Sequence, residues 1–284
     1  MLPKNTINED GKYMQPIVFY DFETTDANPE TCGIHQLSGA VVYKGKIVER
    51  FNWFLKPKEG CSVSPYAMYL AWKANGFKTV EEMRASDIYE PQEVVYRRFM
   101  DLLIKYSGGV YKDGHPRYAD RVMLGGYNIH KFDNEVLRNW MAYNNDPLKL
   151  GHYIADGCID LQLISGVVLG MQLRYMNNFK LKEVAWALGV KVDESKLHSS
   201  DYDTEMCLGI YKKLCCKDLD CYTKDDGTPG KFGIVNPITN EEWFKLHTIE
   251  ELEERDRAKW TKTPEKEAEE REKEEFFKTY YPEQ

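Results

Sequence analysis

The residues best suited to chemistry are acidic side chains and one histidine in three short segments. Asp21 and Glu23 follow a run of four apolar residues, Asp133 lies in GGYNIHKFDNE, and HSSDYD contains His198 and Asp203. Carboxylate oxygens are the ligands that hard divalent cations prefer. Two such ions can stabilise the attacking and leaving oxygens of a phosphodiester. These residue types therefore predict a two-metal site for phosphodiester cleavage.

The first segment, Asp21-Phe22-Glu23, ends an apolar stretch that reads as a β-strand. Alternate side chains of a strand share a face, so Asp21 and Glu23 should point the same way and Phe22 the opposite way. Two adjacent carboxylates repel each other strongly unless a cation lies between them. The alternative for this segment alone is an acidic pair at a strand end that faces water.

The second segment runs from a strand through Gly125-Gly126 into a helix, and Asp133 is expected in the first helical turn. A carboxylate is favoured there by the helix dipole, which is a structural alternative to catalysis. The third segment places His198 before Asp203, which opens a helix and could cap it. An imidazole titrates near neutral pH and can accept a proton from water. The occurrence of all three segments together favours one site over three separate structural roles.

Strand-like and helix-like patterns alternate between these segments, which predicts an α/β layered domain. A hairpin turn is expected at Lys44-Gly45, and residues 58–91 read as irregular, with Pro65 and Pro91 as breaks. The predicted strands are 16–23, 34–43, 46–57 and 121–126, and the predicted helices are 92–106, 132–143, 161–175, 181–188 and 203–216.

Composition divides the chain into three parts. Residues 1–15 are polar and expected to be flexible, 16–217 form the predicted catalytic domain, and 218–284 form a C-terminal extension. The extension begins with a turn-rich stretch. It should continue as an amphipathic helix that packs on the core. A highly charged helix after Pro264 is then most simply a solvated one.

The 284 residues carry a net charge of −8, which argues against a protein that binds nucleic acid mainly by neutralising phosphates. An acidic pocket is nevertheless what a metal-dependent nuclease requires. The seven cysteines match no common zinc spacing and are expected to be reduced. Neither a signal-peptide layout nor a membrane span is recognisable. We therefore expect a soluble protein in the cytoplasm of a bacterial or phage-infected cell, without a membrane partner.

The three segments resemble the exonuclease motifs of the DnaQ-like superfamily, in its DEDDh branch, which carries H-x4-D in the third motif. The resemblance covers roughly residues 16–217. Within the superfamily, GYNIHKFDNEVLRN is most similar to the second motif of the bacterial exonuclease I family. The resemblance implies an RNase H-like fold, in which helices flank a mixed five-stranded sheet.

The same resemblance implies the roles of the site residues. Two Mg²⁺ or Mn²⁺ ions would be held by Asp21, Glu23 and Asp203, while Asp133 would reach the second ion. His198 would be the general base for the attacking water, in a 3′–5′ exonuclease that releases nucleoside 5′-monophosphates. The resemblance also implies that Phe22 and the backbone near Thr24 contact the 3′-terminal nucleotide. Asn128 is a candidate either for a substrate contact or for a contact that supports the metal ligands.

A pocket of this kind favours single-stranded 3′ ends, because a duplex hides its terminal base in a stack. Single-stranded DNA is the first expectation for the substrate. An exoribonuclease that acts on short RNA or RNA 3′ ends is an alternative, and so is a catalytically silent nucleic-acid-binding or scaffold module. The charged segment from Glu250 onward could also bind a replication or repair protein.

Overall fold

The structure is a computed structural model, and it describes residues 15–43, 46–107, 121–170, 172, 176–214, 238, 240–261 and 263–282. Three sequence-based expectations fall on other residues. The flexible segment 1–15 lies outside the described ranges except for its last residue, and so does the Lys44-Gly45 turn. The turn-rich start of the 218–284 extension lies outside them up to residue 237.

The centre of the fold is a five-stranded sheet with the strand order β3-β2-β1-β4-β5. The pairs β1–β2 and β2–β3 are antiparallel, whereas β1–β4 and β4–β5 are parallel. The predicted mixed five-stranded sheet is therefore confirmed. Its strands are β1 (Ile17–Thr24), β2 (Ile34–Tyr43), β3 (Lys46–Phe54), β4 (Val122–Gly126) and β5 (Ile154–Asp160).

Ten α-helices are described around this sheet. They are α1 (Pro65–Asn75), α2 (Val80–Ala85), α3 (Gln92–Tyr106), α4 (Asp133–Tyr143), α5 (Leu161–Leu169), α6 (Leu181–Ala187), α7 (Ser200–Leu214), α8 (Asn240–Leu246), α9 (Ile249–Trp260) and α10 (Pro264–Tyr280). Within the described ranges, none of these helices is both long and apolar enough to cross a membrane.

The alternation of side chains along β1 divides the core into two layers. Val18, Tyr20 and Phe22 pack with α3 and α4 on one face of the sheet. Ile17 and Phe19 pack with α5, α6, α7 and α8 on the other face. Because β1 is the central strand, both faces are covered and the strand reads as one continuous apolar run. This arrangement decides which helices meet the carboxylates at its end.

The expectation that residues 58–91 are irregular is wrong. Helix α1 begins at Pro65, and a proline is well suited to the first helical position because its missing N–H would have no partner there. Helix α2 follows with Thr79 as its N-cap, whose hydroxyl accepts a hydrogen bond from the Glu82 N–H. Pro65 and Pro91, which suggested breaks, therefore mark helix starts.

Two further expectations about helices need correction. The helix expected over 161–175 is shorter, because α5 ends at Leu169 and the next residue, Gly170, has a positive φ of 42°. The charged C-terminal helix is not simply solvated. Its Phe276 is 3% exposed and stacks on Trp72 of α1, with ring centroids 5.0 Å apart. Helix α10 is thus docked on the body of the protein through its aromatic side chains.

Candidate active site

Three of the predicted acidic residues meet at the end of β1. Asp21 and Glu23 lie on the same face of the strand as Phe19, which is the face that α7 covers. Asp203 lies in the first turn of α7 and comes from the opposite side. One carboxylate oxygen from each of the three residues lies within 4.8 Å of the other two. The alternation of β1 and the placement of α7 therefore create one carboxylate cluster, which we define as Asp21, Glu23 and Asp203.

Helix α7 is held in this position by contacts at both its start and its middle. The buried hydroxyls of Ser200 and Ser38 form a hydrogen bond that joins the first residue of α7 to β2. Further along α7, the ring of Tyr211 packs against Phe19 with centroids 4.9 Å apart. These contacts leave the first turn of α7 little freedom, so the position of Asp203 against β1 is fixed by the core.

Asp133 approaches the carboxylate cluster from the other face of the sheet. It is the first residue of α4 and is 4% exposed. Its Oδ1 accepts a hydrogen bond of 3.1 Å from the backbone N–H of Phe22, the residue between Asp21 and Glu23. The neighbouring Asn134 accepts a hydrogen bond of 2.9 Å from the Tyr20 hydroxyl. These bonds hold the start of α4 against β1 and bring a fourth carboxylate to the site.

The pKa values of all four acidic groups are raised, mainly by burial. Burial is the main cause at Asp21 and Glu23, and the neighbouring carboxylates Asp133 and Asp203 raise both pKa values further. Burial also raises the pKa of Asp133 to about 7, although hydrogen bonds from the Phe22 and Asp133 backbone oppose this. The pKa of Asp203 rises to about 7 through burial and the charge of Asp201. Ionising all four groups without a counter-charge is therefore costly.

The donor set fits a divalent cation. Among the described residues, Asp21, Glu23, Asp133 and Asp203 form no salt bridge with a lysine or arginine. The buried Oδ1 of Asp203 has no hydrogen-bond partner within the described part of the protein. A buried carboxylate oxygen without a donor is unfavourable unless it binds a cation. Hard oxygen ligands with several negative charges suit Mg²⁺ or Mn²⁺ better than softer metals.

His198 lies on the exposed turn just before α7, with a positive φ of 64°. Its backbone forms a hydrogen bond with the carboxylate of Asp203, which lowers the pKa of that acid. Desolvation lowers the pKa of the His198 imidazole, and the charges of Lys180 and Lys182 lower it further. The imidazole is therefore largely neutral at pH 7 and has a free lone pair for a proton.

The three residues predicted to contact substrate occupy different environments. The ring of Phe22 is 5% exposed and packs edge-on against Trp140, so it is part of the core and has no free face for a base. The Thr24 hydroxyl donates to the backbone oxygen of Asp26 and orders the turn after β1. Asn128 has a positive φ of 56° in the loop that precedes α4. Phe22 thus contributes its backbone N–H to the site and not its ring.

Asp160 was not among the predicted site residues. It is buried at the end of β5, beside the loop that contains Asn128. The signal for part of its role was present, because an aspartate directly before the apolar stretch LQLISGVVL is typical of a helix N-cap. Its carboxylate does accept a hydrogen bond from the Gln162 N–H at the start of α5. Its contacts with residues 128 and 130 depend on tertiary structure and could not be read from local pattern.

Comparison with known proteins gives similar folds at low sequence identity. No protein-family model matches the chain. The DNA polymerase III PolC-type of Mycoplasmopsis pulmonis (strain UAB CTIP) is 24% identical over 201 residues, which are 69% of this chain and 11% of the polymerase. A structure of exonuclease I superposes with a TM-score of 0.52 and 20% identity, over 72% of this chain and 42% of that one.

The zinc-bound form of an Escherichia coli exonuclease I complex with single-stranded DNA gives a TM-score of 0.51 at 21% identity. It covers 72% of this chain and 42% of the other. The chain thus spans less than half the length of these exonuclease structures. The similarity confirms the fold that the sequence motifs implied. The protein has the RNase H-like fold of exonuclease I.

Proposed function

We propose that the protein is a metal-dependent 3′–5′ exonuclease that hydrolyses single-stranded DNA ends to nucleoside 5′-monophosphates. The observation that carries this proposal is the carboxylate cluster, whose three acids share one site without a lysine or arginine partner among the described residues. All four acids of the DEDDh pattern are retained, which argues against a silent binding module. The fold shared with exonuclease I supports the same reaction class.

The cofactor would be two Mg²⁺ or Mn²⁺ ions held by Asp21, Glu23 and Asp203, with Asp133 close to the second. Such ions activate water and stabilise negative charge on the attacking and leaving oxygens. The chain's own residues prepare the site for them. Phe22 holds Asp133 through its backbone N–H. The neutral imidazole of His198 can accept the proton that the attacking water loses.

The preference for single-stranded DNA is the finer part of the proposal. The complex of E. coli exonuclease I with single-stranded DNA supports it by fold similarity. Thr24, which follows Glu23 in the chain, and Asn128, which lies in the loop before Asp133, are proposed to contact the terminal nucleotide. Discrimination between DNA and RNA depends on what surrounds the 2′ position. Matched DNA and RNA substrates therefore belong in the same experiment.

Binding of a replication or repair protein to the charged C-terminal extension stays a prediction. In the described part of the extension, the rings of Trp243 and Phe276 face the body of the protein. A partner would therefore bind the exposed charged faces of α9 and α10. The division of the chain at residues 15 and 217 likewise stays a prediction.

The test is digestion of 3′- and 5′-labelled single-stranded DNA and RNA with Mg²⁺ or Mn²⁺, beside an Asp21→Ala variant. Stepwise shortening from the 3′ end by the wild type, absent in the variant, is the expected result. Faster digestion of RNA than of DNA would replace the substrate with single-stranded RNA. No cleavage of either polymer by folded protein that binds Mn²⁺ would contradict an exonuclease and favour a binding module.

A further inference from the structure

A buried carboxylate outside the carboxylate cluster holds the loop that delivers Asp133. Asp160 is 5% exposed and lies at the end of β5, where it is paired with Gly126 of β4 in the parallel register. The chain leaves β4 at Gly126 and turns through residues 127–132 into α4. Asp160 is therefore next to the point where the loop begins.

The Asp160 carboxylate accepts three backbone hydrogen bonds. Its Oδ1 accepts from the Asn128 N–H at 3.1 Å and from the Gln162 N–H at 3.0 Å. Its Oδ2 accepts from the His130 N–H at 3.2 Å. Bonds to a charged acceptor are stronger than neutral ones. The Asp160 side chain thus caps α5 and also holds the loop before α4 at residues 128 and 130.

The hydrogen bonds continue from this loop to the start of α4. The Asn128 carbonyl accepts from the Phe132 N–H at 3.3 Å, and the Ile129 carbonyl accepts from the Asn134 N–H at 2.9 Å. Phe132 and Asn134 are the two neighbours of Asp133 in the sequence. The conformation that Asp160 imposes at Asn128 is therefore passed on to the backbone on both sides of Asp133.

The positive φ of Asn128 shows why an anchor is useful at this point. A left-handed backbone conformation at a residue other than glycine is unfavourable and persists where the surroundings hold it. The hydrogen bond from the Asn128 N–H to Asp160 supplies such a restraint. Without it, the turn has other conformations available, each of which would move the start of α4 relative to β1.

We infer that Asp160 is a positioning residue, which sets the place of Asp133 at the metal site through the backbone of residues 128–132. This inference rests on the proposed function. It adds a residue that contacts neither a metal ligand nor the reacting atoms. Removing a residue that orients metal ligands without binding the metal itself typically lowers metal affinity or activity by about 10- to 100-fold.

The test separates the two roles of Asp160 by substitution. Asp160→Ser keeps a side-chain oxygen that can cap α5 at the Gln162 N–H, but this short side chain cannot also accept from His130. Asp160→Ala removes both roles. The matched control is Thr79→Ala, which removes the N-cap of α2 and leaves the residues around the site unchanged.

Three measurements are made on the full chain at a temperature where every variant is folded. They are amide hydrogen exchange at residues 128 and 130, Mn²⁺ affinity by electron paramagnetic resonance, and kcat and KM on a single-stranded oligonucleotide. In Asp160→Ser we expect faster exchange at residue 130, whose acceptor Oδ2 is removed, and in Asp160→Ala we expect faster exchange at both amides. We also expect a fall of about 10- to 100-fold in Mn²⁺ affinity or kcat, with KM changed much less. Thr79→Ala should match the wild type in all three.

Faster exchange with unchanged Mn²⁺ affinity and kcat would overturn the inference, because Asp160 would then be a structural cap alone. Unchanged exchange at residues 128 and 130 would overturn it as well, since the bonds would not restrain the loop. A wild-type protein that neither binds Mn²⁺ nor cleaves nucleic acid would contradict the proposed function, and with it this inference. The exchange data distinguish the two failures, because they report the loop independently of activity.

Discussion

Acidic side chains that are buried or half-buried occur in two regions of this protein and are treated differently. Glu183 of α6 is 6% exposed, and Arg255 of α9 donates to its carboxylate at 2.8 Å. The same guanidinium lies 3.7 Å from the ring centroid of Trp186. Asp21 and Glu23 of β1 have no such partner among the described residues. The buried acid that the chain itself neutralises contributes to structure, whereas the acids of the carboxylate cluster face one another without a cation and form a site suited to bind one.

The Glu183 region also shows what the C-terminal helices do. Trp243 of α8 is fully buried, and the His247 ring lies against Trp186 with centroids 4.0 Å apart. At the other end of the extension, Phe276 of α10 packs on α1. The C-terminal extension is highly charged, but two groups of its aromatic side chains contact the body of the protein. These contacts are structural, whereas the mutual repulsion of the acids in the carboxylate cluster opposes folding of the metal-free protein.

The largest effect is expected from Asp21→Asn, which removes the charge of a proposed metal ligand with little change in the shape of the side chain. A metal ion contributes several kcal/mol to catalysis, so kcat should fall by about 10³-fold. The metal-free variant should also melt at a higher temperature, because a buried charge and its repulsion are removed. Asp87→Asn, at an exposed position, is the control. A variant with lower activity and also a lower metal-free melting temperature would contradict a repulsive cluster.

Arg255→Ala tests the structural half of the comparison. Removing one partner of a buried ion pair leaves an uncompensated charge, so the free energy of unfolding should fall by about 3 kcal/mol. Denaturant unfolding measures this change. Adding Glu183→Gln should recover part of the loss, while kcat stays at the wild-type value where the protein is folded. A double variant as unstable as the single one would show that stacking on Trp186, and not charge pairing, dominates.

The pH dependence of the free energy of unfolding, measured without metal, tests the raised pKa values of the acidic groups. Asp133 and Asp203 have pKa values of about 7 in the folded protein, above the ordinary value of 3.8. Between about pH 4 and 7 the folded state therefore binds more protons than the unfolded state, and stability falls as pH rises. The slope should approach about 1.4 kcal/mol per pH unit for each group. Asp203→Asn should reduce the slope, and an unchanged slope would contradict the assignment to this group.

Much of the site followed from local sequence, because its geometry is built from short-range rules. The alternation of β1 places Asp21 and Glu23 together, and the break at Gly125-Gly126 leads to a helix that starts at Asp133. The burial of the Phe22 ring depends on Trp140, and the anchoring role of Asp160 depends on backbone N–H groups 30 and 32 residues away. Neither could be deduced from the neighbouring residues alone.

The missed helices have a different cause. Pro65 and Thr79 are good helix-start residues, and Thr79 with Glu82 has the spacing of a capping box. Helices α1 and α2 were missed because Pro65 was taken as a break and the capping signal of Thr79 was not recognised. The C-terminal helix α10 was mistaken for a solvated one because Phe276 and Phe277 are few among many charges. Its docking partner Trp72 lies in one of the missed helices, so the contact could not be anticipated.

Thermal unfolding with Mn²⁺ or Mg²⁺ at constant ionic strength measures whether the carboxylate cluster binds a divalent metal. An ion that binds only the folded protein stabilises it by about 2.7 kcal/mol at 100 times its Kd. We predict a melting temperature that rises with ion concentration in the wild type and rises much less in Asp21→Asn. An unchanged melting temperature at saturating ion, or an equal rise in the variant, would show that the carboxylate cluster does not bind the ion.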